Sequence, residues 1–551
     1  MSSPAEGSAA GVAVTGGALA ELTRSYFDLR WHLDPVSASQ AGLTLYDERL
    51  GRFSAEALRP HLVALKSLIG ALEEAEFDGL AEEVERTALL NDARVTLYRY
   101  EKECLHAQNP EFWLSHVLSG LHVLLARPND RSPEARRRAL IARLTDVAAF
   151  LDDARAGVTD PGALFAETAR QVLAAAPPLV LEARAAATTP ETAAAAAAAA
   201  DAAMRALTAF DTDLVRWAEK GSARFAVGEE AFNFHLHYEH ALRDTAPELW
   251  RYGHRLIEEL EADLAARATH LGGKEPWPDL ITRLRGTHPS ASDLVGAYAR
   301  EMARARRFVE EQELVAIPPG PLEVVPTPVF FAPLIPFAAY DAPGAYAQDR
   351  TGWFYVTAPD PSLPPQSLEA RLRDHCVHEL AATALHEGYP GHHLHFLTGQ
   401  ASSSEIRRMI WTPLTVEGWA LYCEDMMAER GFYRGPEEQL FQRLHLLWRA
   451  VRILLDVGLH TRGMTFDEGV AMLVSRLHVD RANAEAEVRR YCSTPTYQMS
   501  YAVGRRELLA LREAYRAAHG ADYSLRRFHD TVLSFGGLPV SLTRWGLELG
   551  E

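Results

Sequence analysis

The feature that most constrains this fold is a helix that has to stop and start again. Leu380-Ala-Ala-Thr-Ala-Leu385 is an apolar helical run that leads directly into His386-Glu387-Gly388-Tyr389-Pro390-Gly391-His392-His393. Proline removes a backbone donor and clashes with the preceding turn, and glycine loses the most backbone freedom on ordering, so Pro390-Gly391 disrupts a regular helix interior. The stretch also carries a chemical pattern. In the metal-binding arrangement H-E-x-x-H, two histidines stand one turn apart on one helix face, and the glutamate after the first acts as general base. Here the second histidine comes six residues after the first, 392 − 386, rather than four. On an unbroken helix, at about 100° per residue, His392 would lie far round the axis, and His393 would align but stand about 10 Å further along. The sequence therefore predicts an irregular turn over residues 388–391 that returns His392 to the His386 side, with His393 as the alternative ligand.

A catalytic metal site of this kind needs a third protein ligand, a base, and donors for a developing oxyanion. The leading third ligand is Glu417 in Trp411-Thr-Pro-Leu-Thr-Val-Glu417-Gly-Trp-Ala-Leu-Tyr422, 25 residues after His392 (417 − 392). That separation suits a second helix, opened by Pro413, which packs on the first and presents one carboxylate. Glu424 and Asp425 follow about two turns later, as groups to orient a ligand histidine through its other ring nitrogen or as alternative ligands. Tyr501 and Arg505, one turn apart, would put a phenol and a guanidinium on one face, the donors that an oxyanion or a substrate carboxylate requires. Asp456 and His460 read first as a structural hydrogen-bonded pair and second as outer support for the site. His375 and His378 read as helix surface or outer support, and His395 as a packed neighbour. Each residue alone has an ordinary structural explanation; the combination of His-Glu after an apolar helix with Gly-His-His is what points to chemistry.

Around this stretch the chain reads as mainly α-helical with a minor β component. At 551 residues and 48% hydrophobic composition it can bury a large interior. Residues 1–18 are expected to be disordered and 19–315 helical, with apolar residues recurring at three and four; the alanine block from Ala193 to Ala200 is a helix by propensity. Between residues 317 and 360, nine prolines accompany Val324-Val325, Val329-Phe330-Phe331 and Trp353-Phe-Tyr-Val356, which predicts a small sheet. Residues 316–551 then comprise that sheet and the candidate site helices, continuous with the rest as one unit. The net charge of −18 argues against a general nucleic-acid or anionic-membrane surface. Cys104, Cys376, Cys423 and Cys492 form no C-x-x-C pair and read as reduced thiols. Residues 1–17 lack Lys and Arg, and no run of eighteen apolar residues occurs, so the expectation is a cytoplasmic protein with neither nucleic acid nor membrane as partner.

These motifs carry a family resemblance. The chain resembles the bacterial domain-of-unknown-function 885 family through His-Glu-Gly-Tyr-Pro-Gly-His-His at 386–393, Glu-Gly-Trp-Ala-Leu-Tyr at 417–422 and Asp-Val-Gly-Leu-His at 456–460. Ser-Tyr-Ala-Val-Gly-Arg at 500–505 and Phe528-His-Asp530 with Gly536-Gly-Leu-Pro539 extend it, and it spans nearly the whole chain. The resemblance implies a mostly helical, gluzincin-like fold in which one zinc ion is held by His386, His392 and Glu417 and Glu387 is the base. The chain departs from the pattern at Pro495-Thr-Tyr497-Gln498, where many relatives carry Gln after Pro-Gly. The function expected on this basis is zinc-dependent hydrolysis of amide bonds in short peptides, with Tyr501 facing the oxyanion and Arg505 a substrate carboxylate. A metal-dependent tailoring enzyme of small-molecule metabolism is the second reading, and a helical binding protein without activity the third.

Overall fold

In the computed structural model the described residues are 17–550, apart from 78, 128–131, 329–331, 333, 334 and 336. The expected disorder of the N-terminus falls largely outside them; the first described helix, α1, already starts at Ala18 and runs Ala18–Leu33. Val329-Phe330-Phe331 likewise lies outside the described residues.

The protein is mainly helical with one three-stranded sheet. After α1 come α2 (Leu80–Tyr98), α3 (Pro110–Ala126), α4 (Pro133–Gly157), α5 (Ala193–Lys220), α6 (Glu229–Tyr238), α7 (Ala246–Gly272) and α8 (Leu294–Glu311). Their ends are written in the sequence. Ser132 accepts the Ala135 N–H ahead of Pro133 at the start of α4, and Thr245 and Glu248 form a capping box at the start of α7. The alanine block forms the first turns of α5, where Ala196, Ala199, Ala200 and Ala203 make a small buried face against α4 and its neighbours. All four cysteines are unpaired.

The sheet has the order β1 (Leu322–Pro326), β3 (Gly352–Val356), β2 (Ala338–Asp341), with β1 parallel and β2 antiparallel to β3. Phe354 and Val356 of β3 are buried against Tyr298 and Met302 of α8. The same small core includes Leu380 and Ala384 of α9 (Val377–Glu387), so the sheet backs the helix that carries His386. Next come α10 (His392–Gln400), α11 (Pro413–Glu429), α12 (Pro436–Thr461), α13 (Arg481–Ser493) and α14 (Ser500–His519). The largest core is built from α7, α12, α13 and the start of α14, so residues from both sides of position 315 share one interior.

Candidate metal centre

The helix that begins at Val377 ends at Glu387 and a new one begins at His392. Between them the chain turns through Gly388 and a cis Tyr389–Pro390 bond to Gly391. The turn is compact because it lacks side chains where the backbone doubles back: a Cβ on Gly391 would run into the His386 carbonyl. The Gly391 N–H donates to Leu385 O at 3.0 Å, so the restarted helix is pinned to the old one. As a result the His386 and His392 rings stand 4.8 Å apart and perpendicular, which a regular helix with this spacing would not allow.

Helix α11 supplies the rest. Thr412 caps it, accepting the Leu414 N–H, and Pro413 occupies its first turn. From this helix Trp419 donates its indole N–H to Pro390 O at 2.8 Å and so holds the irregular turn. Glu417 Oε2 lies 3.3 Å from His392 Nε2 and 3.7 Å from His386 Nε2. Glu424, two turns along, accepts from His386 Nδ1 at 2.8 Å. An ionised carboxylate only accepts, so this bond fixes a proton on Nδ1 and turns Nε2 towards Glu417. One helix therefore positions the third carboxylate, orients one histidine and clamps the turn that delivers the other.

The donor set fits a divalent cation. Ligand atoms about 2.0–2.2 Å from a tetrahedral zinc ion stand roughly 3.3–3.6 Å from one another. The two Glu417 distances, 3.3 and 3.7 Å, match that spacing. Glu387 also belongs to the cluster, with an oxygen within 4.8 Å of a nitrogen of each histidine. Of the two carboxylates Glu417 fits the ligand position, because it is buried and faces both Nε2 atoms; Glu387 is partly exposed, as a base that meets water must be. Charge agrees with this assignment. Burial opposes a charged His386, but Glu417 and Glu424 outweigh it and push its pKa up to about 9. Glu417 is held well below the carboxylate range despite its burial by the two histidines beside it. The site draws in positive charge, and a bound cation would take the place of that proton.

The other sequence candidates fall in different places. His393 is fully buried and faces the sheet, with Nδ1 3.0 Å from the Tyr340 hydroxyl and Nε2 3.3 Å from Gly320 O. Tyr501 lies on the first turn of α14, its ring 6.0 Å from that of Tyr497; burial, and then Glu417, raise its pKa and keep the phenol protonated. Arg505 is turned away from the cluster. Its Nε is paired with Asp425, and both line a separate cavity with Gln442 and Arg443. The close approach of α11 and α14 explains why: a Cβ on Gly504 would strike Leu414 O, so the helices meet backbone to backbone at Gly418 and Gly504. Directly after that contact, Arg505 reaches Asp425, which lies seven residues beyond Gly418 on α11. Asp456 and His460 do not form the expected hydrogen bond, for their closest atoms are 4.0 Å apart. Instead His460 Nε2 pairs with Tyr491 O at 3.0 Å, while Asp456 accepts the N–H groups of Thr496 and Met499 at 3.0 and 2.8 Å.

That turn presents the residue whose role the sequence did not disclose. The Tyr497 hydroxyl donates to Glu417 Oε1 at 2.5 Å, leaving Oε2 for the histidine side. The clue in the sequence was only positional: Tyr497 sits in the one stretch that departs from the family pattern.

The chain matches the family described as bacterial protein of unknown function (DUF885) over residues 35–545. It belongs to that family. Two solved structures have the same fold. One, from Shewanella oneidensis, is described as a "putative lipoprotein of unknown function"; it superposes with a TM-score of 0.79 at 22% identity, covering 97% of this chain and 100% of the other. The second, a "putative lipoprotein" from Colwellia psychrerythraea, gives a TM-score of 0.83 at 16% identity over 96% of this chain and 98% of its own. No curated protein matches the sequence. The two descriptions overturn the expectation of a cytoplasmic protein, since this fold, end to end, occurs in chains described as lipoproteins. Unpaired cysteines and a leading segment without Lys or Arg therefore do not assign a DUF885 chain to the cytoplasm. Among the described residues, no helix is long and apolar enough to cross a membrane.

Proposed function

We propose that this DUF885 protein is a zincin-like, metal-dependent hydrolase that cleaves an amide bond in short peptides. One observation carries the reading: Glu417 Oε2 faces the Nε2 atoms of both His386 and His392, with the partly exposed Glu387 carboxylate beside them. A zinc ion bound there would act as a Lewis acid and lower the pKa of water towards neutrality. Glu387 is the group positioned to take a proton from the attacking water on a carboxylate oxygen and return it to the leaving amine nitrogen. Glu424 keeps His386 in the tautomer that presents Nε2, and Tyr497 holds Glu417 through its other oxygen. The protonated phenol of Tyr501 is the donor available to a developing oxyanion.

The test is metal analysis of the purified chain combined with assay against a library of short peptides. We expect one zinc per chain and amide cleavage, with Glu387→Gln lowering kcat by about 10²–10⁴-fold while zinc content stays the same. Full activity in that variant would rule out the mechanism. A chain without zinc that still cleaves peptides would rule out the metal.

A further inference from the structure

Trp411 is a large apolar side chain in an unusual position. It is 48% exposed, although it directly precedes Thr412, the cap of the helix that carries Glu417. Its backbone is pinned: Trp411 bridges to Gly537, and the Thr412 N–H donates to Gly537 O at 3.0 Å. The indole is thus held on a fixed backbone yet lies in the open, and it borders two cavities. One, of about 400 Å³, is also walled by Phe396, His395 and Val416. The other, of about 240 Å³, is walled by Tyr497.

Both cavities end beside groups of the metal centre. The Phe396 ring lies 6.4 Å from the His392 ring on one side and 6.4 Å, edge-on, from Trp411 on the other. Tyr497, in the second cavity, holds Glu417. A partly exposed aromatic pair therefore spans the distance from a candidate ligand to the open cleft. The charged groups in the larger cavity already have partners. Arg30 pairs with Asp92 at 3.1 Å, Arg407 with Glu85 at 2.7 Å, and Arg127 with Asp341. Arg408 donates to Ser402 O at 2.9 Å. Two polar atoms of lining residues, His395 Nδ1 and Arg408 Nε, lack a partner but are themselves buried; what the wall exposes is the ring surface of Trp411 and Phe396, and such surface is matched by an apolar side chain.

We propose that Trp411 and Phe396 form a specificity shelf that selects substrates with an aromatic or large aliphatic side chain next to the amide to be cleaved. The inference rests on the hydrolase reading and deepens it. Its test uses the full-length, zinc-loaded protein and peptide pairs that differ only by Phe against Ala on either side of the scissile bond. The Phe peptide on the favoured side is expected to be preferred by about 10- to 100-fold in kcat/KM. Trp411→Ala should reduce that ratio to about threefold or less, and Trp411→Phe should retain most of it. In parallel, the same pair with the amide replaced by a non-cleavable methyleneamine is titrated calorimetrically. Trp411-dependent preference for the Phe analogue without any cleavage would support the shelf and overturn the hydrolase reading. Cleavage with no Phe preference, or with a preference that Trp411→Ala leaves intact, would overturn the shelf and retain the hydrolase. Neither cleavage nor selective binding would overturn both.

Discussion

Two buried clusters in this protein use the same residue types and end in opposite chemistry. In one, His235 of α6 lies between two carboxylates, with Nδ1 2.7 Å from Glu239 and Nε2 2.8 Å from Glu103. Both ring nitrogens are consumed, and the group is a closed ion pair. In the other, His386 gives Nδ1 to Glu424, while its Nε2 and that of His392 share one Glu417 oxygen at 3.7 and 3.3 Å. In both, a carboxylate on each side of one ring stabilises a proton; only in the second does another ring converge on the shared oxygen, and two rings and a carboxylate aimed at one point suit a metal. Composition does not distinguish the two clusters. The convergence of a second ring on the same carboxylate oxygen does.

The sharpest way to break this comparison is to remove one histidine from each cluster. His392→Ala is expected to abolish zinc binding at micromolar metal and with it all hydrolysis. His235→Ala, which deletes a histidine with even closer carboxylate partners, should leave about one zinc per chain. Metal content after desalting, measured by mass spectrometry, checks both. Loss of zinc from the His235 variant while it stays folded would mean that proximity of His to carboxylate was the wrong criterion.

The pH dependence of stability runs the same way in both clusters, since His386 shares the raised pKa, so a substitution at His235 is needed to isolate its part. Burial disfavours a charged His235, yet Glu103 and Glu239 outweigh it and raise its pKa to about 9. A histidine whose folded pKa lies above the ordinary 6.5 stabilises the fold fully below that value, and the contribution is lost as pH rises through about 9. It amounts to at most about 3 kcal/mol. Urea denaturation at pH 6 and pH 9.5 should therefore show the native chain losing stability relative to His235→Gln. An unchanged difference at the two pH values would mean that His235 is neutral in the fold.

How far the sequence revealed these sites depended on whether the determining contacts were local. The break after Glu387 was legible because Pro390 and Gly391 act on their own turn. The helix that carries Glu417 was legible through Pro413, which stands at its start. The direction of Arg505 was not, because it depends on the contact of Gly418 with Gly504, two glycines 86 residues apart (504 − 418) in separate helices. The sheet partner of His393 was hidden for another reason. Strand β2, Ala338–Asp341, is half-buried at every position and shows no alternation for a period-two reading to detect. Asp456 and His460 have the spacing of a hydrogen-bonded pair, but each finds a backbone partner from the 491–499 segment instead.

The finest test of the comparison lies in what surrounds the third carboxylate. Glu417 is held from behind by Tyr497, and Tyr497 is in turn set by a tight turn in which Thr496 adopts φ 64° and Asp456 accepts two backbone N–H groups. Tyr497→Phe removes one hydroxyl, keeps the ring, and releases Glu417 Oε1. Outer partners of metal ligands typically affect affinity by about 10- to 100-fold. Zinc affinity, measured by competition with a chromogenic chelator, should weaken within that range, while the melting temperature changes little. Asp456→Asn keeps one acceptor oxygen for the turn and should have a smaller effect in the same direction. Glu103→Gln, the matching change behind His235, should have none. If Tyr497→Phe binds zinc as tightly as the native chain, helix α11 alone orients Glu417, and the difference between the clusters reduces to the turn at residues 388–391.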